Sequence, residues 1–161
     1  MEIVIGFSKP KSPFSFFGHL IRLYSGEDYS HCYIKFRASK LISQASKGMV
    51  NFTHESVFLE HNTIVKEFSV PVTVEQFKQI ADYSILTAGR PYSILQVIGI
   101  LVADILNLNR NPLDMDKSTF ICSEYLGQIL IILGLRITKH LSLLTPEDIY
   151  IEMRRVYGQK I

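Results

Sequence analysis

The chain has 161 residues, of which 47% are hydrophobic and 20% charged, and its formal net charge is +2. That length and apolar content predict one folded domain over residues 1–161 and exclude an intrinsically disordered chain. Lysines and arginines are scattered rather than gathered into a stripe, which argues against a nucleic-acid partner.

In chain order, "MEIVIGF" reads as a short strand. Ser12 followed by Pro13 is a cap and first-turn signature, predicting a helix from Pro13 to about Tyr24 that Gly26 stops. This N-terminal region lacks the order of a secretory signal, because Glu2 comes early and Lys9-Pro10-Lys11 interrupts the apolar stretch. "YSHCYIKF" (29–36) is β-branched and aromatic, a strand. "KLISQAS" (40–46) is its partner across a short turn, with 50–52 extending the sheet. A short helix over 55–61 leads to the strand "TIVKEFSV".

Thr73 caps a helix to about Ala88, ended by Gly89-Arg90-Pro91. Two apolar helices follow, Ser93 to Leu106 and Cys122 to Leu133, joined by a polar loop, with Gly134 as a stop. The first holds Gln96 and Asp104 and falls short of a membrane span. In "LTPEDIYIEMRR", Thr145 is the cap and Pro146, Glu147 and Asp148 fill the first turn. The resulting fold class is α+β, a small antiparallel sheet packed against helices.

Two cysteines far apart, Cys32 and Cys122, make no disulfide scaffold and suit a reducing compartment. Cys122 opens its helix, where unpaired N–H groups and the dipole favour a thiolate. Taken alone it also reads as packing, since Cys122, Leu126, Ile129 and Leu133 share one face. Strand alternation puts Tyr29, His31, Tyr33 and Lys35 on one face, and Cys32, Ile34 and Phe36 on the apolar one. Cys32 is therefore expected in the core, and His31 on a face able to line a cleft.

If Phe36 and Leu41 bracket a four-residue turn, or Arg37 and Lys40 a two-residue one, Tyr33 opposes Gln44 and Gln44 is the diagonal neighbour of His31; an odd-length turn without a bulge turns Gln44 to the other face. Tyr92, after the turn "GRP", offers a hydroxyl donor. A cysteine, a histidine and an amide able to orient the histidine are what nucleophilic thiol catalysis requires.

Together "DYSHCYIKF", "LISQASKGMVNF", "GRPYSILQ", "FICSEYLGQILIILGL" and "LTPEDIY" resemble the circularly permuted NlpC-like branch of the papain-like cysteine hydrolases, a group that includes YiiX-type proteins. In that branch the Ser-His strand comes first and the Cys-Ser-Glu helix last, as here. The resemblance implies a permuted papain-like fold, Cys122 as nucleophile, His31 as its base and Gln44 as the third polar residue. Many relatives carry an acid or histidine at the third position. Tyr92 becomes the expected oxyanion or substrate-positioning donor.

The expected activity is a thiol-dependent peptidase or amidase that forms an acyl-enzyme thioester on a peptide-like amide and needs no cofactor. Two alternatives stand beside it. One is an acyltransferase or thioesterase of the lecithin:retinol acyltransferase-like type, with an acyl substrate and weak lipid contact. The other is a non-catalytic binding module that keeps the fold. Metal binding is not expected, because no Cys-x-x-Cys or His-x-x-x-His spacing supplies ligands beside His31 and Cys122. His19, His54, His61 and His140 are expected at the surface or at helix ends. With no export signal read, the expected location is the cytoplasm or a virus particle.

Overall fold

The computed structural model describes residues 1–12, 21–22, 26–46, 48–114 and 118–158. Apart from Ile21 and Arg22, which are helical, the helix expected over 13–24 lies outside the described residues.

Period-two alternation decides how the strands assemble. β1 (Glu2–Pro10), β2 (His31–Phe36), β3 (Leu41–Ser46), β4 (Met49–His54) and β5 (Asn62–Pro71) form one sheet in the order β4-β3-β2-β1-β5, with every neighbouring pair antiparallel. Ile3, Ile5 and Phe7 stand opposite Phe36, Ile34 and Cys32, and this apolar set forms one face. Val4, Gly6 and Ser8 stand opposite Lys35, Tyr33 and His31 on the other.

Helices close over the apolar face. They are α2 (Val74–Thr87), α4 (Cys122–Ile132) and α5 (Pro146–Tyr157), which contribute Ile80, Leu126, Ile129, Ile149 and Met153 to the main core. The opposite face carries a smaller cluster, in which Phe58 of α1 (Glu55–His61) packs on Tyr33 and Ile42. Tyr33 lies across the backbone of β1: a Cβ at Gly6 would come within 2.1 Å of its ring. Any side chain at position 6 would push that ring aside.

Helix ends follow the capping signals. Thr73 and Thr145 each complete a capping box, with Gln76 and Asp148 respectively. His54 and His140 accept from Ser56 and Ser142 at the starts of α1 and of a short 3-10 turn, Leu141–Leu143, and His61 sits in the last turn of α1. These three histidines are thus helix-end residues; His19 lies outside the described residues. Among the described residues no helix is long and apolar enough to cross a membrane, α3 (Ile94–Ile105) included.

Candidate functional site

The turn between β2 and β3 has four residues, and the ladder runs Phe36↔Leu41, Lys35↔Ile42, Ile34↔Ser43. Continued one step, this register brings Gln44 opposite Tyr33 and diagonal to His31. The side chains meet there: His31 Nε2 lies 2.8 Å from Gln44 Oε1. Only an N–H can satisfy an amide oxygen, so Nε2 carries the proton in this bond and Nδ1 is left for another partner.

The amide itself is held from behind. Gln44 Nε2 donates to Asn51 Oδ1 at 3.3 Å, and Asn51 Nδ2 donates to the backbone oxygens of Ser46 and Met49 at 3.2 and 3.1 Å. Thr53 Oγ1 also donates to Asn51 Oδ1. Because the Asn51 oxygen receives two donors, Gln44 must turn its nitrogen toward Asn51 and its oxygen toward His31. Asn51 stands directly opposite Gln44 in β4. Sequence reasoning missed it, although carrying the hairpin register one strand further would have found it.

Cys122 is the first residue of α4. Its cap residue Ile121 offers no side-chain bond, while Glu124, three residues on from Ile121, accepts from the Ile121 backbone N–H. Half of a capping box is therefore present, without the cap side chain's own bond to the helix. Burial and the nearby Asp114 carboxylate push the Glu124 carboxyl up to about 7.

Tyr125, the next residue, locks this helix end in place. Its hydroxyl lies 2.7 Å from Ser43 Oγ on β3 and donates to Ser84 Oγ on α2 at 2.8 Å. Ser43 adjoins Gln44, so the strand that bears the amide and the helix that bears the thiol are pinned at neighbouring residues. Ser123 Oγ adds a 2.5 Å bond to Leu144 O.

The thiol of Cys122 meets both residues at the start of β2. The side chains of His31 and Cys32 and the Cys32 backbone lie close enough to it to set its ionisation. The Cys32 side chain, opposed by burial and supported by His31 and its charge, brings the Cys122 thiol well below the ordinary range. Burial pulls His31 down, but Cys122 with its charge and the bond to Gln44 outweigh that and raise it. Burial and the same contact push Cys32 well up. One group is thus set to lose its proton and two to keep theirs, an imidazolium–thiolate arrangement.

Cys32 is in the main core, as alternation predicts. What alternation cannot show is that a helix N-terminus enters the core at that point. Cys32 then touches a sulfur as well as hydrocarbon. Cys122, Leu126, Ile129 and Leu133 are likewise buried together, so packing and sulfur placement are the same fact.

Tyr92 lines the same cleft as Cys122 and is carried there by a backbone strap. Gly89, with φ of +83°, makes the turn, and the strap is tied down by Gly89 N to Val50 O at 2.8 Å, Val50 N to Arg90 O at 2.8 Å and Tyr92 N to Gly48 O at 2.7 Å. On its other side Phe120 N donates to Pro91 O and Ser93 N to Phe120 O. The segment before Cys122 is thus laid alongside Pro91–Ser93. Burial and the charge of Cys122 hold the Tyr92 hydroxyl well above its ordinary pKa, so it keeps its proton and can donate.

A cleft opens on this constellation, bordered by Cys122 and Tyr92 together with Val97, Ile100 and Leu101 of α3 and with Leu144. Its cavity volume is about 40 Å³. Glu147, which accepts from the Tyr29 hydroxyl, stands at its edge. Among the described residues, no group of three or more His, Cys, Asp or Glu could hold a metal ion.

No family model and no curated protein matches this sequence. Among solved structures, the fold is similar to that of the metalloprotein YiiX from Escherichia coli O157:H7, with a TM-score of 0.56 at 20% identity. The alignment covers 99% of this chain and 82% of that one. The α+β architecture is therefore YiiX-like.

Proposed function

We propose that this protein is a thiol hydrolase of the circularly permuted NlpC-like, papain-like type. Cys122 is the nucleophile, His31 the general base and acid, and Gln44 the residue that fixes the imidazole. The observation that carries the reading is the hydrogen-bonded line Asn51–Gln44–His31, set beside a thiol that opens a helix and whose ionisation His31 and Cys32 govern. A chain folded only for packing has no need of that line.

The chemistry follows from the atoms in place. His31 takes the Cys122 proton, and the Gln44 oxygen accepts the N–H on the far side of the ring, which orients the imidazolium. The thiolate adds to an acyl carbonyl lying in the cleft. The resulting oxyanion is met by the Cys122 backbone N–H and the Tyr92 hydroxyl. His31 returns the proton to the leaving amine or alcohol, leaving an acyl thioester on Cys122. Water, deprotonated by His31, then adds to the thioester and releases the acid and the free thiol. An amide oxygen stabilises imidazolium less than a carboxylate does, so turnover is expected below that of a triad with an acid.

The test is a single-turnover reaction with p-nitrophenyl esters and peptide p-nitroanilides, followed by intact-mass analysis. Support is a stoichiometric burst with an acyl adduct on Cys122 that Cys122→Ala lacks. Equal bursts from the wild type and Cys122→Ala would refute the assignment.

One observation favours acyl transfer or thioester cleavage as a second reading. The cleft wall is apolar, and beyond it α3 exposes Ile94, Leu95, Ile98 and Ile105. At 100° per residue these four fall within an arc of about 100°. An exposed apolar stripe bordering the nucleophile's cleft suits a substrate with a hydrocarbon chain. A burst rate that rises with acyl chain length would select this reading over the amidase one.

A further inference from the structure

The chain's two cysteines, Cys32 and Cys122, are far apart in sequence, both free, and in contact in the core. The hydrolytic cycle uses the second sulfur alone. Three features set them apart from an ordinary pair of buried thiols. First, the two side chains act on each other directly within the main core, where the start of α4 meets the start of β2, so a disulfide would join groups that are already neighbours. Second, access is unequal: Cys122 borders the cleft and Cys32 does not. Third, ionisation is unequal in the same sense, favouring thiolate at Cys122 and thiol at Cys32. A small oxidant entering the cleft therefore meets the reactive sulfur first.

We infer that Cys32 is a resolving thiol, and that Cys32 and Cys122 form a reversible intramolecular disulfide when the protein meets hydrogen peroxide.

In the first step the Cys122 thiolate attacks one peroxide oxygen. A sulfur–oxygen bond forms and the O–O bond breaks; hydroxide departs and takes a proton from solvent. Sulfur is oxidised by two electrons to the sulfenic acid and peroxide is reduced to water. In the second step Cys32 sulfur attacks Cys122 sulfur. The S–S bond forms, the S–OH bond breaks, and the hydroxyl leaves with the Cys32 proton as a second water.

The order of events is built into the electrostatics. While Cys122 is a thiolate, its charge helps hold the proton on Cys32. Conversion to a neutral sulfenic acid removes that charge, so Cys32 becomes a better nucleophile only once there is an electrophile beside it. The disulfide stops thiolate chemistry and spares Cys122 from irreversible oxidation to the sulfinic acid.

The test treats wild type, Cys32→Ser and Cys32→Ala with a slight excess of hydrogen peroxide. Free thiols are then alkylated, intact mass and non-reducing peptide maps are recorded, and the protein is reduced with dithiothreitol and its Cys122 alkylation rate measured again. Thiol counting needs no knowledge of the hydrolytic substrate, so failure here is separable from failure of the hydrolase assignment. The expected result is a monomer that has lost two hydrogens, a Cys32–Cys122 linked peptide, and full recovery of both thiols on reduction. Both variants are expected to accumulate sulfinic acid at Cys122 and to recover little. The proposal is overturned if wild type reaches the sulfinic acid as fast as the variants without a linked peptide, or if the disulfide forms only between molecules.

Discussion

Strand β2 carries two buried polar constellations, one at its start and one further along, and only the first has the form of an active site. Further along, Lys35 bridges Glu55 and Glu67 at 2.6 and 2.7 Å, and Tyr33 donates to Glu67 at 2.8 Å. Burial pulls the Lys35 pKa down, but the two carboxylates outweigh it and leave it raised. Every charge there has an opposite charge in contact. At the start of β2, Gln44 and His31 are hydrogen-bonded in line, and His31 acts on a sulfur that borders a cleft. Shifted pKa values occur in both places. The difference lies in what the last group of each network faces.

Substitutions at each place sharpen the contrast. The largest effect is expected from Cys122→Ala, which removes the acyl burst entirely while the circular dichroism melt stays that of a folded protein. His31→Ala comes next: alkylation of Cys122 at pH 7 should slow by about 10²-fold, the scale of losing a positioned proton acceptor. Lys35→Met should leave that alkylation rate unchanged and lower stability by about 1–2 kcal/mol. This is less than for a fully buried pair, because both glutamates keep contact with water. A reversed outcome, with Lys35→Met slowing Cys122 and His31→Ala only destabilising the fold, would erase the distinction between the two regions.

Subtler changes probe the support behind the imidazole. Gln44→Ala and Asn51→Ala each break one hydrogen bond in the line and should slow acylation about 2- to 10-fold, with Gln44 the more damaging. If Asn51→Ala exceeds Gln44→Ala, then Asn51 is acting through something other than the amide. The smallest effect belongs to Glu124. Its carboxyl is raised to about 7, so its protonated form stabilises the fold fully below the ordinary 4.5 and that contribution fades as pH rises through about 7. Urea unfolding between pH 4.5 and 8 should show Glu124→Gln losing less stability with rising pH than wild type.

The division between what was legible in the sequence and what was not follows one physical line. Local signals settle local structure: Thr73, Thr145, Gly89 and Gly134 mark helix ends, and alternation sorts β2 into two faces. Alternation places Gln44 beside His31 for any turn of even length, and the four-residue turn between β2 and β3 meets that condition. Contacts made where a helix end meets a strand end obey no such period. Cys32 is therefore readable as a core residue but not as a partner of Cys122, and Asn51, though inside the 50–52 extension of the sheet, emerges only when the hairpin register is carried across to β4. Cys122 beside His31 came from resemblance to a family pattern, since nothing in local periodicity brings residue 122 to residue 31.

The central claim is that Cys32 and His31 hold the Cys122 thiol below its ordinary pKa. The most direct measurement is the thiolate absorbance near 240 nm, titrated in wild type and in Cys122→Ser, with the difference assigned to Cys122. The account predicts a midpoint well below the ordinary 9.0, moving upward in His31→Ala. A midpoint at or above 9.0, unmoved by that substitution, would contradict it.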